Sequence, residues 1–125
     1  MSTLTEGRRA GDFILSELPG TLSRDTVLVD VPPREILAPG RVLGIVSATN
    51  HYAPYSDGNS DGTEVAAGVL YAELDNSTGI EVEAMTGVVI NFGAEVRKDG
   101  LAWGADVDED GGIADLAAVG IKARD

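Results

Sequence analysis

The clearest pattern in the chain is an alternation of apolar and charged positions at residues 80–84. Ile80, Val82 and Ala84 alternate with Glu81 and Glu83, and this period of two is typical of a strand with one buried face. We therefore expect the three apolar side chains to face the core and both carboxylates to face water. Turn residues at 75–79 precede this strand, so residues 65–84 are predicted to form a hairpin.

Further short runs rich in β-branched and apolar residues have strand character. They lie at residues 26–31, 41–47, 65–74, 88–92 and 94–97. Pro-Gly, Pro-Pro, Asp-Gly and Gly-Gly pairs separate most of them and mark turns or loops. Such dense turn signals leave no room for long helices, so the pattern predicts a mostly β domain.

One short helix is predicted near the C-terminus. Ile113, Leu116 and Ala117 follow the i, i+3, i+4 spacing of a helix face, and acidic residues precede them at the positive end of the helix dipole. Gly120 should end the helix. Residues 121–124 are then long enough for a closing strand.

The N-terminal segment differs from the rest of the chain. Residues 1–12 are polar and show neither helical nor strand periodicity, so we interpret them as a flexible arm. A single β-rich domain is predicted to follow, at residues 13–125. Its core is thin, because the chain has sixteen glycines but one Trp, two Phe and three Tyr. A small domain of this kind is expected to gain stability from contacts between subunits.

Charge and composition exclude several functions. The formal net charge of −12 opposes nucleic-acid binding, which requires clustered Lys and Arg. No stretch has the roughly 18 apolar residues of a membrane span, and the N-terminus lacks a signal-peptide pattern, so a soluble, unexported protein is expected. The absence of cysteine removes disulfides, thiolate zinc sites and a cysteine nucleophile.

No catalytic or cofactor motif stands out. The chain contains neither a G-x-S-x-G elbow nor a G-x-x-x-x-G-K-[ST] loop. His51, the single histidine, lies in a loop-like stretch beside Tyr52 and Tyr55. A general base needs an orienting partner, which the sequence does not identify, so we interpret His51 as a surface or interface residue.

Calcium binding is the sharpest alternative chemistry. The run Asp106, Val107, Asp108, Glu109, Asp110, Gly111 resembles the opening of an EF-hand loop. The twelfth position, where a bidentate Glu should complete the coordination shell, is Ala117. Residues 57–62 repeat the same opening with Gly68 at the twelfth position. Solvated acidic loops are the simpler interpretation.

Several phrases, in order and across nearly the whole chain, resemble the lambda-type bacteriophage head decoration family. They are Phe13-Ile14-Leu15-Ser16-Glu17, Gly40-Arg41-Val42-Leu43-Gly44, Tyr52-Ala53-Pro54-Tyr55, Asp61-Gly62-Thr63-Glu64, Ala67-Gly68-Val69-Leu70 and the closing residues 116–121. Their order and spacing make the resemblance specific.

The resemblance implies a β-clip or tulip-like fold and a homotrimer at the three-fold positions of an expanded head. Such trimers bind the outer surface of the major capsid protein and stabilise the shell against packaged DNA. The protein would be made in the bacterial host cytoplasm and reside on the virion. The N-terminal arm would order on the capsid, with contacts expected at Thr3, Leu4, Thr5, Arg8, Arg9, Phe13, Ile14 and Leu15.

Two other classes of function stay open from the sequence. Deoxyuridine triphosphatases also use trimers of the β-clip fold, so fold analogy alone leaves a nucleotide hydrolase possible. An acidic calcium-dependent interaction module is the third interpretation. No nucleotide-binding motif is found, and the resemblance favours a structural protein without cofactors, which is the preferred hypothesis.

Overall fold

Ten strands and one α-helix form the part of the chain that the computed structural model describes, namely residues 13–17, 23–105 and 107–125. The strands are β1 (Ile14–Glu17), β2 (Arg24–Val31), β3 (Ile36–Leu37), β4 (Val42–Ile45), β5 (Tyr52–Pro54), β6 (Gly68–Leu70), β7 (Leu74–Asp75), β8 (Glu83–Ile90), β9 (Ala94–Arg97) and β10 (Ile121–Arg124). The helix, α1, is Glu109–Ala118, and a short 3₁₀ turn follows β9 at Lys98–Gly100. The predicted class, a mostly β domain with one short C-terminal helix, is confirmed.

Five of the strands close into a barrel, in the order β2-β5-β4-β6-β8. Its longest pair is β2 with β8, antiparallel from Arg24 opposite Ile90 to Val31 opposite Glu83. β2 is rich in valine, whose branched side chain suits a pleated surface. The barrel interior contains Val29, Val31, Leu37, Leu43, Tyr52, Leu70 and Val89.

A second layer packs beside the barrel. Its sheet has the order β1-β9-β10, with β9 antiparallel to β1 and parallel to β10. Parallel neighbours need a crossover connection, and α1 lies within that connection. The core between the two layers contains Phe13, Val42, Tyr55, Ala66, Val69, Ile90, Ala94, Val96, Leu101, Leu116 and Ile121.

Strands β4, β6 and β8 form a wall shared by the two cores. Neighbouring residues on each strand point to opposite sides: Leu43, Leu70 and Val89 into the barrel, and Val42, Val69 and Ile90 into the second core. All six side chains are buried. A strand buried on both faces is continuously apolar instead of alternating, which explains why these short runs had no periodicity in the sequence.

The C-terminal elements agree with the sequence prediction. Asp108 is the N-cap of α1, and its side chain accepts a hydrogen bond from the Gly111 amide at 3.1 Å. Gly120 follows the helix at φ +91°, a conformation that favours glycine. The predicted strands at 94–97 and 121–124 are β9 and β10.

The predicted buried face at residues 80–84 is wrong. Ile80 is 78% exposed and Val82 is 61% exposed, and Ala84 is exposed as well. β8 begins only at Glu83. Before it joins the wall shared by the two cores, its less exposed residues are the odd-numbered ones, as at Gly87, and not the even-numbered ones that the alternation predicted. Alternation reveals two faces but does not say which one the fold covers, and a shift of one residue exchanges them.

The hairpin predicted for residues 65–84 is also wrong. β6 pairs with the far end of β8, with Val69 opposite Ile90, and the start of β8 pairs with β2 instead. The chain between β6 and β8 leaves the barrel to form β7, which pairs with β3. The local turn signal at 75–79 is therefore real, but the turn follows β7 and does not close a hairpin.

Candidate binding surface

The eight predicted capsid contacts fall into two groups. Thr3, Leu4, Thr5, Arg8 and Arg9, with the rest of the predicted arm, lie outside the described residues. Phe13, Ile14 and Leu15 are described, at the start of the first described segment. None of the eight is tested as a capsid contact, so the set stays a prediction.

Phe13 is the first of the described residues and is held firmly by the domain. Its side chain is buried in the second core. Its carbonyl oxygen accepts a hydrogen bond from the Arg97 amide at 2.8 Å. Gly100 lies against it, since a Cβ added there would come within 2.8 Å of the Phe13 Cβ. Phe13 therefore serves as an anchor within the domain.

Leu15 lies at an irregularity of an edge strand. β1 is at the edge of the three-stranded sheet, and its register against β9 shifts between Ile14 and Ser16. Ile14 packs against the second core, whereas Leu15 is 49% exposed. A bulge turns a side chain away from the ladder and disturbs an edge that could otherwise pair freely. It leaves Leu15 on the surface.

A charged cluster joins the two ends of the segment that follows β1. Arg24 donates to the Glu17 carboxylate through Nε, at 3.1 Å from each oxygen, and through a second nitrogen, and Ser23 donates to it as well. The guanidinium also lies over the Tyr71 ring at 4.1 Å. Hydrogen bonding to Arg24 lowers the pKa of Glu17, and the same contact raises the pKa of Arg24. Opposite charges seven residues apart in the sequence, at Glu17 and Arg24, were the signal that sequence reasoning overlooked.

Asn76 organises one end of the barrel. Its side-chain Nδ2 donates to the carbonyl oxygens of Val31, Pro32 and Glu81 at 3.0, 3.2 and 3.0 Å. Asn76 is 6% exposed. These bonds hold the loop that presents Ile80 and Val82, so those exposed apolar side chains stand on a fixed loop.

His51 has the orienting partner that the sequence could not identify. Its Nδ1 lies 2.8 Å from a carboxylate oxygen of Asp30, and both side chains are partly exposed. The pair links β2 to the residue that precedes β5. His51 thus lies at the surface and connects two strands of the barrel.

The two acidic loops proposed for calcium meet each other. The Asp57 carboxylate accepts a hydrogen bond from the Asp108 amide at 2.9 Å, and the Tyr55 hydroxyl donates to the Asp108 carbonyl at 3.0 Å. Asp61 accepts from the amide and hydroxyl of Thr63, which lowers the pKa of Asp61. Asp106 lies outside the described residues, and the described ones contain no group of three side chains placed to hold a metal ion. The described carboxylates of these loops act in turns and in capping.

These features define a class of protein. A rigid β domain with two cores, an N-terminal segment anchored at an edge strand and apolar side chains held outward suits a structural protein that binds other proteins. Within the described ranges, no helix has the length and apolar character needed to cross a membrane.

The family follows from comparison with known proteins. The family model described as Bacteriophage lambda head decoration protein D matches residues 3–121. The chain belongs to this family of structural proteins, which decorate the capsid surface of phage virions. A search of curated proteins found no match. The resemblance in the sequence is thereby confirmed.

Proposed function

We propose that this protein binds the major capsid protein on the outer surface of the expanded head, as a trimer at three-fold positions. There it stabilises the shell against the pressure of packaged DNA. The observation that carries the proposal is the family match over residues 3–121, which includes most of the N-terminal arm.

The described residues give the arm a defined starting point. Phe13 is held in the core while Leu15 points outward from the bulge in β1. An extended segment can add as a strand to an exposed sheet edge of another protein, where its main-chain hydrogen bonds provide affinity. The arm would bind in this way, with Leu15 and Ile14 bordering the contact and Phe13 anchoring it.

Trimerisation would multiply weak contacts. Three linked arms bind adjacent capsid subunits with an avidity that exceeds the affinity of one arm by about 10²- to 10⁴-fold where the geometry allows simultaneous contact. A ligand that binds only the expanded shell stabilises it by mass action. The protein would therefore raise the temperature at which the head disrupts, without catalysing a reaction.

Co-sedimentation with expanded heads that lack the protein tests the proposal. The full chain should bind saturably, near three copies per three-fold site. A variant lacking residues 1–12 should keep its circular dichroism and its mass in solution but lose binding, because the described strands, the helix and both cores use residues from Phe13 onward. Saturable binding of the truncated chain would contradict the role of the arm, and no binding of the full chain would contradict decoration.

A matched pair of leucines sharpens the test. Leu15 and Leu28 are 49% and 43% exposed on β1 and β2. Leu15→Ser should weaken capsid binding, whereas Leu28→Ser, on the barrel, should leave it unchanged. Equal effects of the two substitutions would show that the surface near the arm has no special part in binding.

A further inference from the structure

Four Asp-Gly pairs in the chain differ in how tightly the fold holds them. They are Asp57-Gly58, Asp61-Gly62, Asp99-Gly100 and Asp110-Gly111. In such a pair the backbone nitrogen of Gly can attack the Asp carboxyl carbon, because Gly has no side chain to hinder the approach. The attack is favoured by a Gly amide that is free of hydrogen bonds and by a backbone that can rotate. The fold therefore decides which of the four pairs reacts.

Two of the pairs have their Gly amide engaged in a hydrogen bond. The Gly62 amide donates to the Glu64 carboxylate at 2.8 Å, and the Gly111 amide donates to the Asp108 carboxylate at 3.1 Å. Gly111 also lies within α1, whose regular backbone restricts its rotation. Both amides are therefore poor nucleophiles in the folded chain.

A third pair is held by packing. Gly100 is buried at the end of the 3₁₀ turn at Lys98–Gly100, and a Cβ added to it would come within 2.8 Å of the Phe13 Cβ. The turn cannot change shape unless Phe13 moves within the second core. Ring closure at Asp99 would therefore require local unfolding.

The pair Asp57-Gly58 lacks these restraints. Both residues are exposed at the centre of a β-turn, which the Asn59 amide closes by donating to the Ser56 carbonyl at 3.0 Å. The Gly58 amide has no acceptor among the described residues. A Cβ added to Gly58 would meet no atom within 4 Å, so the turn has room to change shape.

The carboxylates of the two pairs in this loop also differ. The Asp57 Oδ1 accepts one hydrogen bond, from the Asp108 amide at 2.9 Å, and a single exposed bond of this kind opens readily. Asp61 accepts two hydrogen bonds from Thr63, which lower the pKa of Asp61 and so favour the unreactive ionised form. Geometry and hydrogen bonding thus single out Asp57.

We propose that Asp57 is the site at which the folded protein isomerises to isoaspartate. The Gly58 nitrogen attacks Cγ of the protonated Asp57 carboxyl group, so that an N–C bond forms, a C–O bond breaks and one water molecule leaves. Water then opens the resulting succinimide ring at either carbonyl carbon. Attack at Cγ restores aspartate, whereas attack at the main-chain carbonyl carbon gives isoaspartate. No electrons are transferred, and the mass of the chain is unchanged.

Isomerisation would disconnect two loops. Isoaspartate adds one carbon to the main chain and leaves the carboxylate on Cα, so this group no longer reaches the Asp108 amide. Asp108 is the N-cap of α1, and the Tyr55 hydroxyl donates to its carbonyl oxygen. Loss of the Asp57 bond would loosen the start of α1, while the barrel strands, which do not include this turn, stay paired.

Peptide mapping of the aged full-length protein tests the proposal. After incubation at mildly acidic pH, isoaspartate should be several-fold more abundant at Asp57 than at the other three pairs, as measured by electron-transfer fragmentation. The same chain unfolded in guanidinium is the control, because all four pairs should react at similar rates without the fold. Isoaspartate that is spread equally over the folded chain, or concentrated at another pair, would overturn the proposal.

Gly58→Ala is the matched variant. The space around Gly58 admits a methyl group, and its φ lies outside the left-handed region, so circular dichroism should be unchanged. The added side chain hinders the attacking nitrogen and should reduce isoaspartate at Asp57 several-fold. Hydrogen exchange at residues 108–111 should quicken on ageing in the wild type but not in the variant. Undiminished isoaspartate in Gly58→Ala, or equal exchange in the two aged proteins, would contradict the assignment.

Discussion

Asn76 and Arg41 are two polar side chains at the barrel that differ in one respect. Asn76 is almost fully buried, and its amide nitrogen donates to three carbonyl oxygens of its own chain. Arg41 is half-buried, and its Nε finds no acceptor in the described part of the chain. One hydrogen-bonding group is completed by folding and the other is not.

The comparison distinguishes polar groups that stabilise the fold from polar groups that are left available for binding. A buried polar group that is fully hydrogen-bonded rigidifies the fold, and its removal leaves partners unsatisfied. A buried group that lacks a partner stabilises the isolated chain little, and its removal relieves a desolvation cost. Substitution at Asn76 should therefore destabilise the monomer, whereas substitution at Arg41 should leave its stability nearly unchanged or raise it.

Asn76→Ala should give the largest loss of stability. Three carbonyl oxygens would lose their donor at once, so we expect a decrease of about 2–4 kcal/mol in the free energy of unfolding. Chemical denaturation of dilute monomer measures it. Asn91→Ala is the control, because the half-buried Asn91 amide donates only to two side chains, the Asp25 carboxylate at 2.7 Å and the Tyr52 hydroxyl at 3.4 Å, and its loss should cost about 1 kcal/mol. Equal losses at the two sites would contradict the organising role of Asn76.

Local sequence rules predicted the elements that local chemistry determines. The spacing of Ile113, Leu116 and Ala117, followed by Gly120, located α1 and its end, because capping and periodicity act within a few residues. The same rules were wrong for Ile80 and Val82, whose exposure depends on pairing between β8 and a strand some fifty residues earlier.

The partners of the residues on the candidate binding surface could not be predicted from the sequence. Glu17 with Arg24, and Asp30 with His51, are ordinary polar and charged residues whose partners are determined by the tertiary fold. Arg41 appeared in a phrase typical of the family, yet nothing in that phrase shows that its Nε is buried without an acceptor. Burial and partnership are properties of three-dimensional packing, so a one-dimensional pattern does not contain them.

The Glu17–Arg24 pair is an intermediate case between Asn76 and Arg41. Its hydrogen bonds are formed within the chain, as at Asn76, but both side chains are partly exposed. Glu17 has a folded pKa below its ordinary value of 4.5. Its contribution is therefore fully present above that value and is lost as pH falls through the folded pKa. We expect Glu17→Gln to cost about 1 kcal/mol at neutral pH and low salt, and to converge with the wild type in acid.

The measurement for this pair is the difference in unfolding free energy between wild type and Glu17→Gln from pH 7 to pH 2.5. Taking the difference removes the contributions of Asp61, Asp75 and Glu95, whose folded pKa values are also lowered. A difference that is constant across this range would show that ionised Glu17 does not stabilise the fold.

Asp108, the N-cap of α1, is a polar side chain whose hydrogen bond is formed at the surface. Asp108→Ala removes the acceptor for the Gly111 amide and should reduce stability by about 1 kcal/mol. Asp108→Asn should keep most of it, because Asn is as good an N-cap as Asp. If Asn and Ala were equally destabilising, the charge of Asp108 would matter more than its capping bond.

Arg41→Met should have the smallest effect on the monomer, and its direction is the informative part. The substitution removes a guanidinium whose Nε is buried without an acceptor, and it places an unbranched apolar side chain beside Val107 and Ala53. We expect the unfolding free energy of dilute monomer to stay within about 0.5 kcal/mol of the wild type, or to rise. A loss comparable to that of Asn76→Ala would mean that Arg41 is satisfied within its own chain, and the contrast between the two sites would disappear.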